Sequence, residues 1–225
     1  MKDRKNGIII TIDGPSGAGK STVAEIVAER LGLIYIDTGA MYRAVALLVT
    51  RSGIDADNDE ELERILRTST IAIDRNSDNK TKVLLNGEDV SDKIRTAEIS
   101  RLSSYLATKR LVRSTLKVIQ KDMGAEGNIV AEGRDMGTCV FPDADFKFYL
   151  DASVDERARR RWLQLNAVGS RSTLYEIKYE IKQRDIQDME RSESPLHPAR
   201  NAVIIDTTKL SADEVIEMIL SEVNN

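Results

Sequence analysis

Residues Gly14-Pro15-Ser16-Gly17-Ala18-Gly19-Lys20-Ser21 form a complete G-x-x-x-x-G-K-[ST] phosphate-binding loop, and what flanks them constrains the fold more than any other feature. Ahead of the loop, Gly7-Ile8-Ile9-Ile10-Thr11-Ile12-Asp13 is β-branched and apolar, suited to a strand buried on both faces. Behind it, Thr22 to Leu31 carries Val23, Ile26, Val27 and Leu31 at helical spacing. Strand, glycine loop and helix in that order turn backbone N–H groups inward. They also aim the positive end of the helix at a phosphate. Lys20 is placed to reach the β- and γ-phosphates, and Ser21 offers a hydroxyl to Mg²⁺. Gly14 through Thr22 are thus the expected contacts of a bound nucleoside triphosphate.

The rest of the chain alternates in the same way. Leu33-Ile34-Tyr35-Ile36, Asn128-Ile129-Val130-Ala131, Phe146 to Leu150 and Ala202 to Asp206 read as further strands. Helices are expected from Ala40 to about Arg51, capped by Asp37 or Thr38, then over a short stretch after Asp57, and from Glu98 to Met123. Others follow Asp151, run from Leu174 to Arg191, and close the chain from Ala212 to Val223. Alternating strands and helices predict an α/β fold with a five-stranded parallel sheet. Its ligands are expected at the strand carboxyl ends, in one cleft lined by the loops after Ile12, Ile36, Ala131, Leu150 and Ile205. Residues 69–91 break the alternation. Two strand-like runs flank Asn86-Gly87, the sequence of a tight hairpin turn, so a small antiparallel meander is inserted there. At 225 residues there is room for one such domain, residues 1–225, with its insertion.

Composition excludes several classes. A net charge of −4 argues against a general nucleic-acid surface. The lone cysteine, Cys139, excludes an internal disulfide, and the lone histidine, His197, makes no metal cluster. No segment is long and apolar enough to span a membrane, and the charged start, Met1 to Asn6, lacks a signal core. The expectation is a cytoplasmic monomer with no nucleic-acid or membrane partner.

Charged residues interrupt the folding pattern at informative places. On the helix from Leu174, the positions Leu174, Ile177 and Ile181 mark an inward face, and the same stripe continues as Arg184, Asp188 and Arg191. Charges on an inward face need partners or an anionic ligand. The run Arg157, Arg159, Arg160, Arg161 places 157, 160 and 161 on one helix face. Arginines there can meet the charge that spreads over a transferred phosphoryl group. A segment carrying them, about residues 155–172, could close over a triphosphate as a lid. Gly133-Arg134-Asp135 falls at a strand carboxyl end, the expected place for acceptor contacts. Arg43 and Arg95 are weaker candidates. The guanine-reading Asn-Lys-x-Asp pattern of switch GTPases has only an imperfect match at Asn79-Lys80-Thr81-Lys82. A small-molecule kinase therefore fits better than a switch or a motor.

The chain resembles bacterial-type cytidylate kinases from end to end. The matching stretches are Ile12 to Ser21, Asp37-Thr38-Gly39-Ala40-Met41-Tyr42-Arg43, Leu85 to Val90 and Ile94-Arg95-Thr96. They continue with Gly133-Arg134-Asp135-Met136-Gly137-Thr138, Phe141 to Ala144, Arg184-Asp185 with Asp188 and Arg191, and Ser194-Pro195-Leu196. The resemblance implies a P-loop three-layer α/β fold with an acceptor-binding insertion and a short helical lid. The activity it implies is transfer of the γ-phosphoryl of MgATP to CMP or dCMP; a kinase for UMP or AMP is the alternative. Thr38, Ser104, Arg113 and Asp135 would surround the cytosine. Arg184 and Asp188 would hold the ribose hydroxyls, and Arg43, Arg134 and Arg191 the acceptor phosphate. Lys20, Arg134, Arg157, Arg160 and Arg191 are the candidate catalytic residues, and Ser21 the magnesium contact. Relatives often carry serine at position 38 and glycine at 21; Thr38 keeps the hydroxyl and Ser21 adds one.

Overall fold

The computed structural model describes residues 7–75, 81–167 and 169–224. The charged start read at Met1 to Asn6 and the polar link at 76–80 lie outside them. In chain order the first elements are β1 (Ile9–Asp13), α1 (Lys20–Leu31), β2 (Ile34–Asp37), α2 (Thr38–Ser52) and α3 (Asp59–Thr68). Next come β3 (Ile71–Arg75), β4 (Thr81–Leu85), β5 (Glu88–Asp89), α4 (Ala97–Leu106) and α5 (Arg110–Met123). After β6 (Ile129–Gly133) the chain makes a π-helical turn, Met136–Val140, then β7 (Phe146–Asp151) and α6 (Val154–Ala167). The last elements are α7 (Leu174–Glu190), β8 (Val203–Asp206) and α8 (Ala212–Asn224). They fall into two compact units, Met1–Tyr35 with Gly127–Asn225, and Ile36–Glu126.

The first unit is built on a five-stranded sheet in the order β2-β6-β1-β7-β8. β1 lies at its centre, parallel to both neighbours, with Ile12 opposite Glu132 on one side and Phe148 on the other. β7 and β8 are parallel as well. Parallel strands buried on both faces need continuous apolar runs, and Ile10, Ile12, Val130 and Phe148 meet that need. α1 and α8 cover one face with Ala24, Val27, Ala28, Val215, Ile216 and Ile219. α6 and α7 pack together through Ala158, Ile177 and Ile181, with Trp162 and Leu165 at the rim. α7 opens on a reciprocal cap: Thr173 Oγ1 accepts from the Glu176 N–H, and the Glu176 carboxylate accepts from the Thr173 N–H. Since β1 and β6 end at Asp13 and Gly133, the phosphate-binding loop and the Arg134-Asp135 turn start from adjacent strand ends.

The second unit has its own core. β3, β4 and β5 form the antiparallel sheet expected for residues 69–91, with Ile73 opposite Val83 and Leu85 opposite Glu88. Asn86 and Gly87 both take positive φ, 52° and 80°, as a two-residue turn with this twist requires. Ile71, Val83, Leu85 and Val90 are buried with Met41, Val45 and Leu48 of α2 and Leu62 of α3. The meander thus shares its core with the helices around it. Asp37 is the α2 cap, accepting from the Ala40 N–H at 2.8 Å.

The long helix expected from Glu98 to Met123 is two helices, α4 and α5, parted at Ala107–Lys109. No glycine or proline signals the break. Two local side-chain bonds and one tertiary ion pair hold it. Thr108 Oγ1 donates to the Tyr105 carbonyl, Lys109 is drawn to Asp57, and Arg113 donates to the Ala107 carbonyl freed by the break. The π-helical turn after Asp135 was likewise absent from the sequence pattern, because five residues carry no periodicity. Among the described residues no helix is long and apolar enough to cross a membrane.

Two substitutions gauge the second unit. A Cβ on Gly87 would meet nothing within 4 Å. Gly87→Ala should therefore cost only left-handed backbone strain, about 1–2 kcal/mol. Leu85→Ala removes a core side chain and should cost about 2–5 kcal/mol. Urea midpoints for the two variants check the order; equal losses would mean that the backbone strain at the turn is as costly as the lost core side chain.

Candidate active site

In the first unit the loop between β1 and α1 is held by glycines at positive φ, one of which has no room for a side chain. Gly14, Gly17 and Gly19 have φ of 147°, 82° and 91°, and a Cβ on Gly14 would lie 2.0 Å from the Leu150 carbonyl oxygen. α1 begins at Lys20 without a side-chain cap, which leaves its first N–H groups to an anion. Lys20 is buried, and its Nζ donates to the Pro15 carbonyl at 2.7 Å. Burial, then the charge of Arg134, push its ammonium well below the ordinary lysine range; Arg184 adds to this and Glu132 opposes it. The site is therefore crowded with positive charge, a condition that a polyanion relieves.

The acids around Lys20 have assigned partners. Glu132, at the carboxyl end of β6, accepts through Oε1 from Ser21 Oγ at 2.6 Å and from the Tyr35 hydroxyl at 2.9 Å. Asp188 of α7 accepts from Arg134 Nε at 2.8 Å and lies 3.4 Å from Arg191 NH1. Burial pushes the Asp188 carboxyl up, but Arg134, Arg184 and Arg191 together hold it below the ordinary carboxylate range. Arg191 donates through Nε and NH2 to the Ser194 carbonyl and lies 3.8 Å from Asp135. Of the sequence stripe, Leu174 is not inward but 46% exposed, at the first residue of α7; Ile177, Ile181 and Asp188 are buried, and Asp188 and Arg191 meet the turn after β6. Asp13 sits beneath both loops, and its carboxylate accepts from the N–H groups of Met136 (2.9 Å) and Gly137 (2.7 Å). Burial pushes Asp13 up to about 6, against the pull of those two N–H groups.

The arginine run divides by burial. Arg157 is buried, donating to the Ala152 and Ser16 carbonyls and pairing with Asp185 at 2.8 Å. Arg160 pairs with Glu156 and donates to Thr207, whose hydroxyl donates to the Ala18 carbonyl. Both thus brace the backbone of the phosphate-binding loop. Arg161, expected on their face, is exposed and donates to Gln164 on its own helix, while the exposed Arg159 pairs with Glu156. Thr22 is exposed on α1.

In the second unit, Thr38 is buried at the start of α2. One turn on, Arg43 pairs with Asp37 at 2.9 Å, and its buried Nε has no hydrogen-bond partner among the described residues. Arg113 is buried over the Tyr42 ring, 5.8 Å from its centroid. Ser104 Oγ donates to the Ser100 carbonyl one turn back on α4. Arg95 is exposed.

Sequence reasoning missed Asp13, Tyr35, Glu132, Asp185 and Thr207 as parts of the site. Only Asp185 had a legible signal: it follows Ile177 and Ile181 at the same helical spacing. Among the described residues, no group of three or more histidine, cysteine or acidic side chains forms a metal cluster.

The comparisons with known proteins agree with this geometry. The family model for cytidylate kinase matches residues 10–225. A cytidylate kinase from Citrifermentans bemidjiense is 50% identical over 98% of this chain and 94% of that protein. One from Geobacter sulfurreducens is 50% identical over 95% and 91%. Among solved structures, an uncharacterized protein from Eubacterium ventriosum matches 97% of this chain and 99% of its own with TM-score 0.54, a likeness of fold alone at 14% identity. A phosphate-binding loop crowded by arginines, a family match over nearly every residue and relatives sharing half of all positions place this chain in the cytidylate kinase family.

Proposed function

We propose that the cluster around Lys20 transfers the γ-phosphoryl group of MgATP to the 5′-phosphate of CMP or dCMP, giving ADP and CDP or dCDP. The observation that carries this reading is the burial of Lys20 among Arg134, Arg184 and the Asp188 network at the end of β1. An oxygen of the acceptor phosphate forms the new bond to the γ-phosphorus, while the bond from that phosphorus to the β,γ-bridging oxygen breaks and ADP leaves with the electron pair. The acceptor phosphate is already ionised, so no strong general base is required. The protein contributes position and charge stabilisation.

Gly14 through Thr22 wrap the triphosphate, and Lys20 meets its β- and γ-phosphates. Arg134 and Arg191 are assigned the acceptor phosphate, Arg184 and Asp188 the ribose hydroxyls, and Asp135 the N4 amino group of cytosine, for which a carboxylate is the natural acceptor. Thr38, Arg43, Ser104 and Arg113 are assigned to the acceptor on family resemblance. The buried Arg43 Nε supports this as a donor still available to an anion. Residues 155–172 are assigned as the lid and 69–91 as the acceptor-binding insertion. The contacts of Arg157 with Ser16 and of Arg160 with Thr207 support the first assignment by tying α6 to the phosphate-binding loop.

Magnesium would accompany ATP as its charge partner. Ser21 Oγ and Glu132 Oε1, hard oxygen donors 2.6 Å apart, suit a small hard cation and would hold it. When bound, the ion would neutralise charge developing on the phosphates.

The direct test supplies MgATP with CMP, dCMP, UMP or AMP in turn and follows ADP release. Acceptor-independent ADP release, or none with any cytidine acceptor, would sink the reading. Lys20→Ala should lower kcat by about 10²–10³ without loss of fold, measured by steady-state rates and circular dichroism. Ser21→Ala should raise the Mg²⁺ concentration for half-maximal rate about tenfold; an unchanged Mg²⁺ titration excludes the hydroxyl. Asp135→Ala should lower the CMP:UMP ratio of kcat/KM by about tenfold, because the N4 amino group loses its acceptor. An unchanged ratio would move base reading elsewhere.

A further inference from the structure

The residue just before a helix normally supplies the side chain that caps its free N–H groups. Asp135 stands immediately before the π-helical turn Met136–Val140 and is a residue type well suited to that role, yet its side chain makes no capping bond there. Asp13, from the end of β1, takes its place. One carboxylate oxygen accepts from the Met136 N–H at 2.9 Å and the other from the Gly137 N–H at 2.7 Å. The fit is close. A Cβ at Gly137 would come within 2.9 Å of Thr11 Oγ1 and 3.2 Å of the Ala199 Cβ, so a glycine suits the close packing of the turn beside β1. Asp135 is turned instead toward Arg191, at 3.8 Å.

We propose that Asp13 is a specificity-positioning residue: by capping the π-helical turn from outside, it keeps the Asp135 carboxylate off the N–H groups of that turn and in the position from which it would contact the base of the acceptor. The mechanism is a competition. With Asp13 gone, two buried N–H groups lose their acceptor, and the nearest replacement along the chain is Asp135, whose natural capping geometry would draw it back onto Gly137 or Thr138. Asp13 is 2% exposed and adjoins Gly14, so the same carboxylate joins the phosphate-binding loop to the acceptor-reading turn. Charge-assisted bonds to two successive N–H groups make that joint stiff.

This inference rests on the reading of Asp135 as the cytosine contact, and the experiment separates the two. CMP:UMP ratios of kcat/KM, ATP affinity and urea stability are measured for wild type, Asp13→Asn, Asp13→Ala, Asp135→Ala and the double variant Asp13→Asn/Asp135→Ala. Asp13→Asn keeps the shape but presents an NH₂ to one of the two donors, so it is the variant expected to fold if Asp13→Ala does not. The expected result is a CMP:UMP ratio lowered at least about fivefold by Asp13→Asn, with ATP affinity within about threefold. In the Asp135→Ala background the same substitution should move the ratio less than about twofold, since its effect runs through Asp135. An unchanged ratio in Asp13→Asn, with a lowered one in Asp135→Ala, overturns the inference and leaves the base contact standing. Equal effects of Asp13→Asn in both backgrounds would show a general structural role and overturn it too. If Asp135→Ala itself leaves the ratio unchanged, the base assignment fails and takes this inference with it.

Discussion

Positive charge held close to positive charge is the constraint around which the first unit is organised. Burial first, and then the charges of Arg134 and Arg184, depress the Lys20 ammonium, in surroundings too dry for water to screen them. Such an arrangement is stable only if carboxylates are interleaved with it. Asp188 is bound by Arg134 and Arg191, Glu132 lies under Ser21, and Asp135 lies near Arg191. The protein balances these cations well enough to fold and leaves them crowded enough to favour a polyanion. This is electrostatic preorganisation in the sense that matters for phosphoryl transfer: the charges are in place before the substrate arrives.

A loop of glycines cannot hold such charges by itself, and the structure braces it from three sides. Arg157, paired with Asp185, donates to the Ser16 carbonyl. Thr207, itself held by Arg160, donates to the Ala18 carbonyl. Lys20 closes on the Pro15 carbonyl from within. Each bond satisfies a loop carbonyl with a side-chain donor, which fixes the loop backbone. Arginines that sequence alone suggests as catalytic thus have a structural use, one that also ties α6 to the loop.

Much of this was legible in the residues. The strand, loop and helix around Gly14–Ser21 are dictated locally, by β-branched apolar residues, glycines at positive φ and a helical apolar stripe. Asn86-Gly87 announced its turn for the same reason, since few other residues tolerate two successive positive φ values. The inward turn of Asp188 and Arg191 was readable because a helix keeps its period after the side chains change from apolar to charged. The break at Ala107–Lys109 was not readable. It depends on Asp57 reaching Lys109 across 52 positions, and on Arg113 taking a carbonyl that an unbroken helix would have used itself.

By itself, then, the sequence determined every element whose cause is local: the phosphate-binding loop, the β/α alternation, the inserted meander and the family these imply. Tertiary structure alone decided which charge answers which. Asp13 could not be assigned to the turn at Met136–Gly137, 123 and 124 positions away, until parallel pairing put Asp13 opposite Gly133. Nor could Arg157 be separated from Arg161 until α6 packed on α7 and buried one beside Asp185 while leaving the other in solvent. Propensity and periodicity act over a few residues. Hydrogen bonds and ion pairs act over a few ångströms, and only the fold converts one distance into the other.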